Sequence, residues 1–348
     1  HMIYPILNPL YMIFIIIVCL YIFLFNFGYR KIYIVRIPNN TMENKIQCPK
    51  CKSNDTIKWC KRKTENRGLI QRYKCKSCNS YFTLDTGFFR MRNNPIKITQ
   101  SIDLFYRGVS TRKVQEHLGV FYPHNSSHKS IYKWIIKYSK MISNYTNRLK
   151  LNVGKEVQVD EMECHRRKSS TQKRGIDKNW FIDSICPQTK FLISSEFAKT
   201  RSQREIKAVM SRIKQRTDNQ IQMVTTDGLN AYPKVIKRVW GYNNKLGRYN
   251  VFHNKNVISE DEGNFNFPIE RLHNNVRART KVMRGFHGSI NSANAIMKGF
   301  EIYYNFITKH QQIKCCPYEL AIPELKEYLG EIKNKWLGLI NLTKEADL

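Results

Sequence analysis

Ile221-Gln222-Met223-Val224-Thr225-Thr226-Asp227-Gly228 is the stretch whose reading decides the fold. A short, largely apolar run closed by Asp-Gly predicts a buried strand that ends in a carboxylate at a turn. Upstream, Asp160 closes the β-branched run Val157-Gln158-Val159 in the same way. Downstream, Glu270 opens Glu270-Arg271-Leu272-His273-Asn274-Asn275, which reads as a helix start after Pro268. Two strand-end aspartates and one helix-borne glutamate can hold a pair of Mg²⁺ ions, which prefer oxygen ligands and keep several waters. Such a pair stabilises both the attacking and the leaving oxygens of an in-line phosphoryl displacement.

The flanking pattern alternates strands and helices. Trp180–Asp183 and Phe191–Ser194 read as strands joined by a hairpin turn at Cys186-Pro187-Gln188-Thr189. Ser202–Arg216 is helical, with Ile206, Val209, Met210 and Ile213 on one face. Tyr232–Trp240 and Asn291–Phe306 are further helices. Three antiparallel strands, then a helix, then a parallel strand is the order of a ribonuclease-H-like α/β core. The expectation is a mixed five-stranded sheet flanked by helices.

Lys and Arg number 59 against 27 Asp and Glu, a formal charge of +32 with a pI near 9.8. So large an imbalance opposes compaction by self-repulsion and favours a polyanionic partner, which a merely soluble basic protein would not need. Ten cysteines include two Cys-x-x-Cys pairs, Cys48/Cys51 and Cys75/Cys78. That pattern fits metal binding in a reducing compartment better than a secreted disulfide framework. Each pair makes a tight knuckle that points two thiolates at one Zn²⁺, and two knuckles complete a tetrahedral site. Ile57–Trp59, Leu69–Tyr73 and Tyr81–Leu84 are the strands of this zinc ribbon, with Gly68 at a turn and Cys60 outside the ligand set.

Between ribbon and core, three helices are expected: Ile98–Tyr106, Ser110–His117 (ended by Gly119), and a third capped by Ser126 or Ser127. The third carries Ile131, Trp134, Ile135, Tyr138 and Ile142 toward a core. Its other face carries His128, Lys129, Lys133, Lys137 and Lys140, which suits a helix-turn-helix with this helix in a major groove. At the amino end, His1-Met2 resembles a cloning scar, and Leu10–Phe25 is an unbroken apolar run slightly short for a membrane span. Residues 1–41 read either as a membrane segment or as upstream sequence ahead of a natural start at Met42, and the second is preferred.

Residues 155–323 resemble the catalytic core of DDE transposases from bacterial and archaeal insertion sequences, the branch close to retroviral integrases. The resemblance rests on Val159-Asp160-Glu161, Thr226-Asp227-Gly228-Leu229-Asn230-Ala231-Tyr232-Pro233 and Ile269–Asn275. It rests further on Arg279–Phe286, Tyr304-Asn305-Phe306, His310, Pro317 and Glu319. It implies that Asp160, Asp227 and Glu270 form a triad for Mg²⁺ or Mn²⁺, with Asp160 and Asp227 sharing the metals and Glu270 completing the second site. One departure is a longer interval before Glu270, assigned to the polar loop Asn254–Asn266.

Other acidic and metal-type residues lack the setting of that triad. Glu161 should point to the opposite face by strand alternation. Asp183 reads as a turn former, Glu260, Asp261 and Glu262 as a solvated loop, Glu301 as the partner of a surface base, and His165 as exposed. Phosphate contacts are expected from Lys129, Lys133 and Lys137 on the third helix. Arg271, Asn274, Arg277, Arg279 and Lys281 would add more after Glu270.

The domains expected are an apolar leader (1–41), a zinc ribbon (42–92), a helix-turn-helix (93–150), a catalytic core (151–323) and a C-terminal helix (324–348). The function expected is DNA transposition in the cytoplasm: binding of terminal inverted repeats, strand cleavage, and transfer to target double-stranded DNA. Synapsis of two ends implies at least a homodimer. The alternatives are a DNA-binding regulator with an inactive core and a structure-selective nuclease on the same fold.

Overall fold

The computed structural model describes residues 46–64, 68–89, 91–122, 126–167, 176–255, 267–283 and 285–346. The chain divides into two units, His1–Met42 and Glu43–Leu348, and the first, with its apolar run, lies outside the described residues. So do Arg284, Glu260, Asp261, Glu262 and most of the polar loop before Glu270. Among the described residues no helix is long and apolar enough to cross a membrane.

Strands β1 (Thr56–Thr64), β2 (Gly68–Cys75) and β3 (Tyr81–Phe82) form an antiparallel sheet in that order. Each cysteine pair is followed at once by a residue with positive φ, Lys52 at 60° and Asn79 at 53°. That reversal lets Cys48 N donate to Ser53 O at 2.9 Å and Cys75 N to Ser80 O at 3.0 Å, closing two matching knuckles.

The three expected helices follow. In α1 (Pro95–Tyr106), Asn94 caps the start by accepting from Ile96 N, and proline occupies the first turn, where its missing N–H costs nothing. Helix α2 (Thr111–Phe121) is capped by Ser110 and runs past Gly119 to Phe121, further than the sequence reading allowed. Helix α3 (His128–Thr146) is capped by Ser127, while Ser126 turns inward and donates to Asn93 Oδ1.

The second sheet is built from β4 (Glu156–Arg167), β5 (Ile176–Ile185) and β6 (Leu192–Ala198), then α4 (Gln203–Arg216), β7 (Met223–Thr226) and α5 (Ala231–Trp240). A small hairpin of β8 (Tyr242–Asn243) and β9 (Arg248–Tyr249) precedes β10 (Phe252–Lys255). Strand order is β10-β7-β4-β5-β6, with β4, β5 and β6 antiparallel and β7 and β10 parallel to β4. This is a mixed five-stranded sheet flanked by helices, and it fits a ribonuclease-H-like core. Helix α6 (Phe267–Met283) and helix α7 (Ile290–Ile302) come next, and α7 continues as a π turn, Tyr303–Ile307. Helices α8 (Tyr318–Ala321), α9 (Glu324–Glu331) and α10 (Lys335–Glu345) complete the chain, so two helices occupy the segment where one C-terminal helix was expected.

One buried cluster runs from Phe88 through α1 and α3, across the second sheet, to Leu342 in α10. At Gly299, α7 comes close against α1 and α3. A Cβ there would lie 1.9 Å from Tyr106 Oη and 2.3 Å from Ser139 Oγ, so only glycine lets α7 lie against α1 and α3. Tyr106 Oη uses that space to donate to Ile296 O at 3.0 Å. Trp336 of α10 stacks on Tyr106 and donates to Asp103 Oδ1 at 3.2 Å. The three helices are thus anchored on one side by the core and on the other by the C-terminal segment.

Candidate active site

Parallel pairing of β4 with β7 ends at Gln158 opposite Thr225. Two residues further along each chain stand Asp160 and Asp227, so the register brings them level at the carboxyl end of β7. Strand β4 itself continues to Arg167, which places Asp160 mid-strand rather than at a strand end. What ends there is its neighbour, and the missing neighbour opens room for a ligand.

A third carboxylate joins the pair. Asp160, Glu161 and Asp227 each offer an oxygen within 4.8 Å of the others. Alternation does send Glu161 toward α5, where Tyr232 Oη donates to its Oε1 at 2.5 Å. Past Thr226, however, no β7 backbone separates the two faces, and the longer glutamate side chain still reaches the aspartates. The expectation that Glu161 stands apart from the cluster is therefore corrected. Its other oxygen, Oε2, is buried without a hydrogen-bond partner among the described residues, as a metal-ligating oxygen would be.

Burial raises the Asp160 carboxyl to about 6, against the pull of His273, and raises Glu161 to about 7, against the hydrogen bond from Tyr232. Neighbouring carboxylates contribute to both of these rises. Three adjacent carboxylates, with Asp160 and Glu161 held above their ordinary pKa values by burial, form a donor set suited to a hard divalent cation.

Asp183 is also misread by sequence. It lies within β5, opposite Asp160 on β4, and is fully buried rather than at a turn. Its Oδ1 is 2.9 Å from His273 Nε2, and His273 Nδ1 is 3.5 Å from Asp160 Oδ2. Burial raises the Asp183 carboxyl, and the histidine opposes that rise. Burial lowers His273, but Asp183 and Asp160 outweigh it and the net shift is upward. Ile269, Leu272 and Val276 at helical spacing put His273 on the buried face of α6, which was the available signal for this contact.

Glu270 lies in the first turn of α6, exposed, and is not among the carboxylates that meet. The exposed face of α6 carries Arg271, Asn274, Arg277 and Lys281. Arg279 departs from expectation. It continues the buried stripe of Leu272 and Val276, and its guanidinium sits 4.2 Å over the Phe105 ring. A side chain only 7 % exposed is in no position to touch phosphate. Lys129, Lys133, Lys137 and Lys140 are exposed on α3. Glu301 is buried, not at the surface, and meets Lys298 at 2.8 Å and Arg216 at 3.7 Å. His165 is exposed, as expected.

The four ribbon cysteines form a second group. Cys48 and Cys78 sulfurs are 3.6 Å apart and those of Cys51 and Cys75 are 3.5 Å apart. A tetrahedron with Zn–S bonds of about 2.3 Å has edges of roughly 3.8 Å, so the donor set fits zinc. Ser80 Oγ, 2.9 Å from Cys78 Sγ and 3.3 Å from Cys48 Sγ, lowers both thiol pKa values. Cys60 is exposed on β1, away from this group.

Residues 183–311 match the family model described as a DDE domain, of the IS240 transposase type. The match supports a DDE transposase of an insertion sequence. The matched DDE domain begins at Asp183 and contains Asp227 and Glu270, while Asp160 and Glu161 precede it. No curated protein matches the chain.

Proposed function

We propose that this protein is a DNA transposase that cuts a strand at an element end and joins the freed 3′-hydroxyl to a target phosphate. The observation that carries this reading is the meeting of Asp160, Glu161 and Asp227 beyond the end of β7, in a chain of charge +32 that matches a DDE domain. Asp160 and Asp227 would hold divalent ions, with Glu270 completing the set from α6 and Glu161 within reach. Mg²⁺ or Mn²⁺ bound there would stabilise charge on the attacking and leaving oxygens.

In cleavage, a water oxygen bonds to phosphorus as the bond to the 3′-oxygen breaks, and the departing oxygen takes up the proton that the water gives up. In transfer, the new 3′-hydroxyl oxygen bonds to a target phosphorus and a target 3′-hydroxyl is released. Backbone contacts from Lys129, Lys133 and Lys137 on α3 and from Arg271, Asn274, Arg277 and Lys281 on α6 would hold the duplex without reading its sequence. The ribbon and the three helices, as a helix-turn-helix, would hold the terminal repeats, and pairing two ends calls for two copies of the chain.

The test is joining of labelled DNA carrying the element's own ends to a plasmid in Mg²⁺, beside a binding measurement at fixed salt. Wild-type protein should yield joined product. Asp160→Asn and Asp227→Asn should abolish it while end binding persists. Cleavage without joining would leave a nuclease, and binding without either would leave a DNA-binding regulator.

A further inference from the structure

The outer face of the ribbon sheet is aromatic and cationic at once. Trp59 is 52 % exposed and Tyr81 46 % exposed, with ring centroids 5.6 Å apart. Trp59 is thrust outward by a bulge, because β1 pairs Lys58 with Tyr73 and then Cys60 with Arg72, leaving Trp59 without a partner in the register. Lys74, on β2, places its ammonium 5.1 Å from the Trp59 ring and 5.7 Å from the Tyr81 ring. Arg72 reaches 5.5 Å from the Tyr81 ring. The three strands carry Lys58, Lys61, Arg62, Lys63, Arg72 and Lys74 and no acidic residue.

The ribbon's own core lies on the opposite face, where Tyr73 stacks on Phe82 at 5.8 Å. The exposed rings are therefore surplus to holding the ribbon together. Two wet aromatic rings among clustered cations fit a polyanion that brings flat apolar surfaces of its own. Nucleic acid is that partner, and its strand form follows from the rings. Duplex bases are stacked on both sides and offer only edges, whereas unpaired bases have free faces for Trp and Tyr. An exposed cation–π contact is the weaker competitor for a ring face, so Lys74 and Arg72 can exchange rings for phosphates when bases arrive.

We infer that the ribbon face formed by Trp59, Tyr81, Arg72 and Lys74 binds single-stranded DNA by base stacking with phosphate pairing. This site is separate from the acidic cluster and does not depend on the strand-transfer reading.

The test uses full-length, zinc-loaded protein and fluorescence anisotropy at fixed salt. Three probes are compared: a thymidine strand of about 12 nucleotides, an abasic strand with the same phosphates, and a duplex of the same length. Wild-type protein should prefer the base-bearing strand over the abasic one by about tenfold or more. Trp59→Ala and Tyr81→Ala should each weaken the base-bearing strand by about tenfold, leaving the abasic strand and the duplex unchanged. Trp59→Phe should keep most of the preference. Zinc content reports whether each variant holds its ribbon, and if Trp59→Ala loses zinc, Tyr81→Ala and Trp59→Phe carry the test. Equal binding of base-bearing and abasic strands by the wild type would overturn the inference, as would an equal loss on the duplex.

Discussion

His273 Nε2 lies 2.9 Å from Asp183 Oδ1, and both side chains are buried. This contact joins α6 to β5, and the other ring nitrogen continues it to Asp160 on β4 at 3.5 Å. Glu270 sits one helical turn before His273 on the same helix. The contact therefore sets where the exposed glutamate stands relative to the acidic cluster, even though Glu270 itself touches none of it.

Removing the histidine should show what that contact is worth. His273→Ala leaves the buried Asp183 carboxylate without its partner, which should cost about 3–5 kcal/mol of stability. In a double-mutant cycle, Asp183→Asn should remove much of that penalty, because the orphaned charge goes with it. Denaturant unfolding measures both, and an unchanged midpoint for His273→Ala would refute the linkage.

The third metal carboxylate can be decided directly. Glu161→Gln and Glu270→Gln preserve size and hydrogen bonding while removing charge. If Glu270 completes the site on DNA binding, its amide should abolish joining, and the Glu161 amide should lower it by a smaller factor. The reverse ranking would assign the third position to Glu161, which already stands with the aspartates in the free chain.

Metal-free protein should lose stability as pH rises. Folded-state carboxyl groups near 6 for Asp160 and 7 for Glu161 lie above their ordinary values of 3.8 and 4.5. Between about pH 4 and 7 the folded state then binds more protons than the unfolded state, so stability falls across that window and levels off above it. Asp160→Asn should flatten the slope, and millimolar Mg²⁺ should restore the melting temperature at neutral pH more than at pH 5. A melting temperature that climbs steadily from pH 5 to 7 without metal, and equally in Asp160→Asn, would contradict this.

Zinc should be integral to the ribbon. Cys75→Ser removes one of four converging thiolates and should release the metal and unfold residues 46–89, since structural zinc supplies much of such a module's folding energy. Cys60→Ser should leave zinc unchanged. Metal analysis checks both, and one zinc per chain in the Cys75 variant would disprove the ligand set.

Apolar runs around Asp227 placed four strands, at Val157–Val159, Trp180–Asp183, Phe191–Ser194 and Ile221–Thr226, and their order implied a ribonuclease-H-like sheet of five. The fifth strand, β10, has no apolar run to mark it, and its end falls in the stretch read as a polar loop from Asn254. The four thiolates were legible from spacing, since Cys-x-x-Cys is a local geometry that needs no distant contact. The three helices ahead of the core were legible too, from their caps and apolar stripes.

Tertiary structure decided what each side chain faces. Asp183 looked like a turn residue but became a buried partner of His273, because β5 lies beside β4 in the sheet. Glu161 looked displaced by alternation, yet the early end of β7 let it rejoin the aspartates. Arg279 looked like a phosphate contact, but packing of α6 beside α1 set it over Phe105. In each instance the deciding neighbour lies dozens of residues away in the chain. Local sequence encodes backbone period and turn chemistry, whereas the environment of a charge depends on which distant element closes over it.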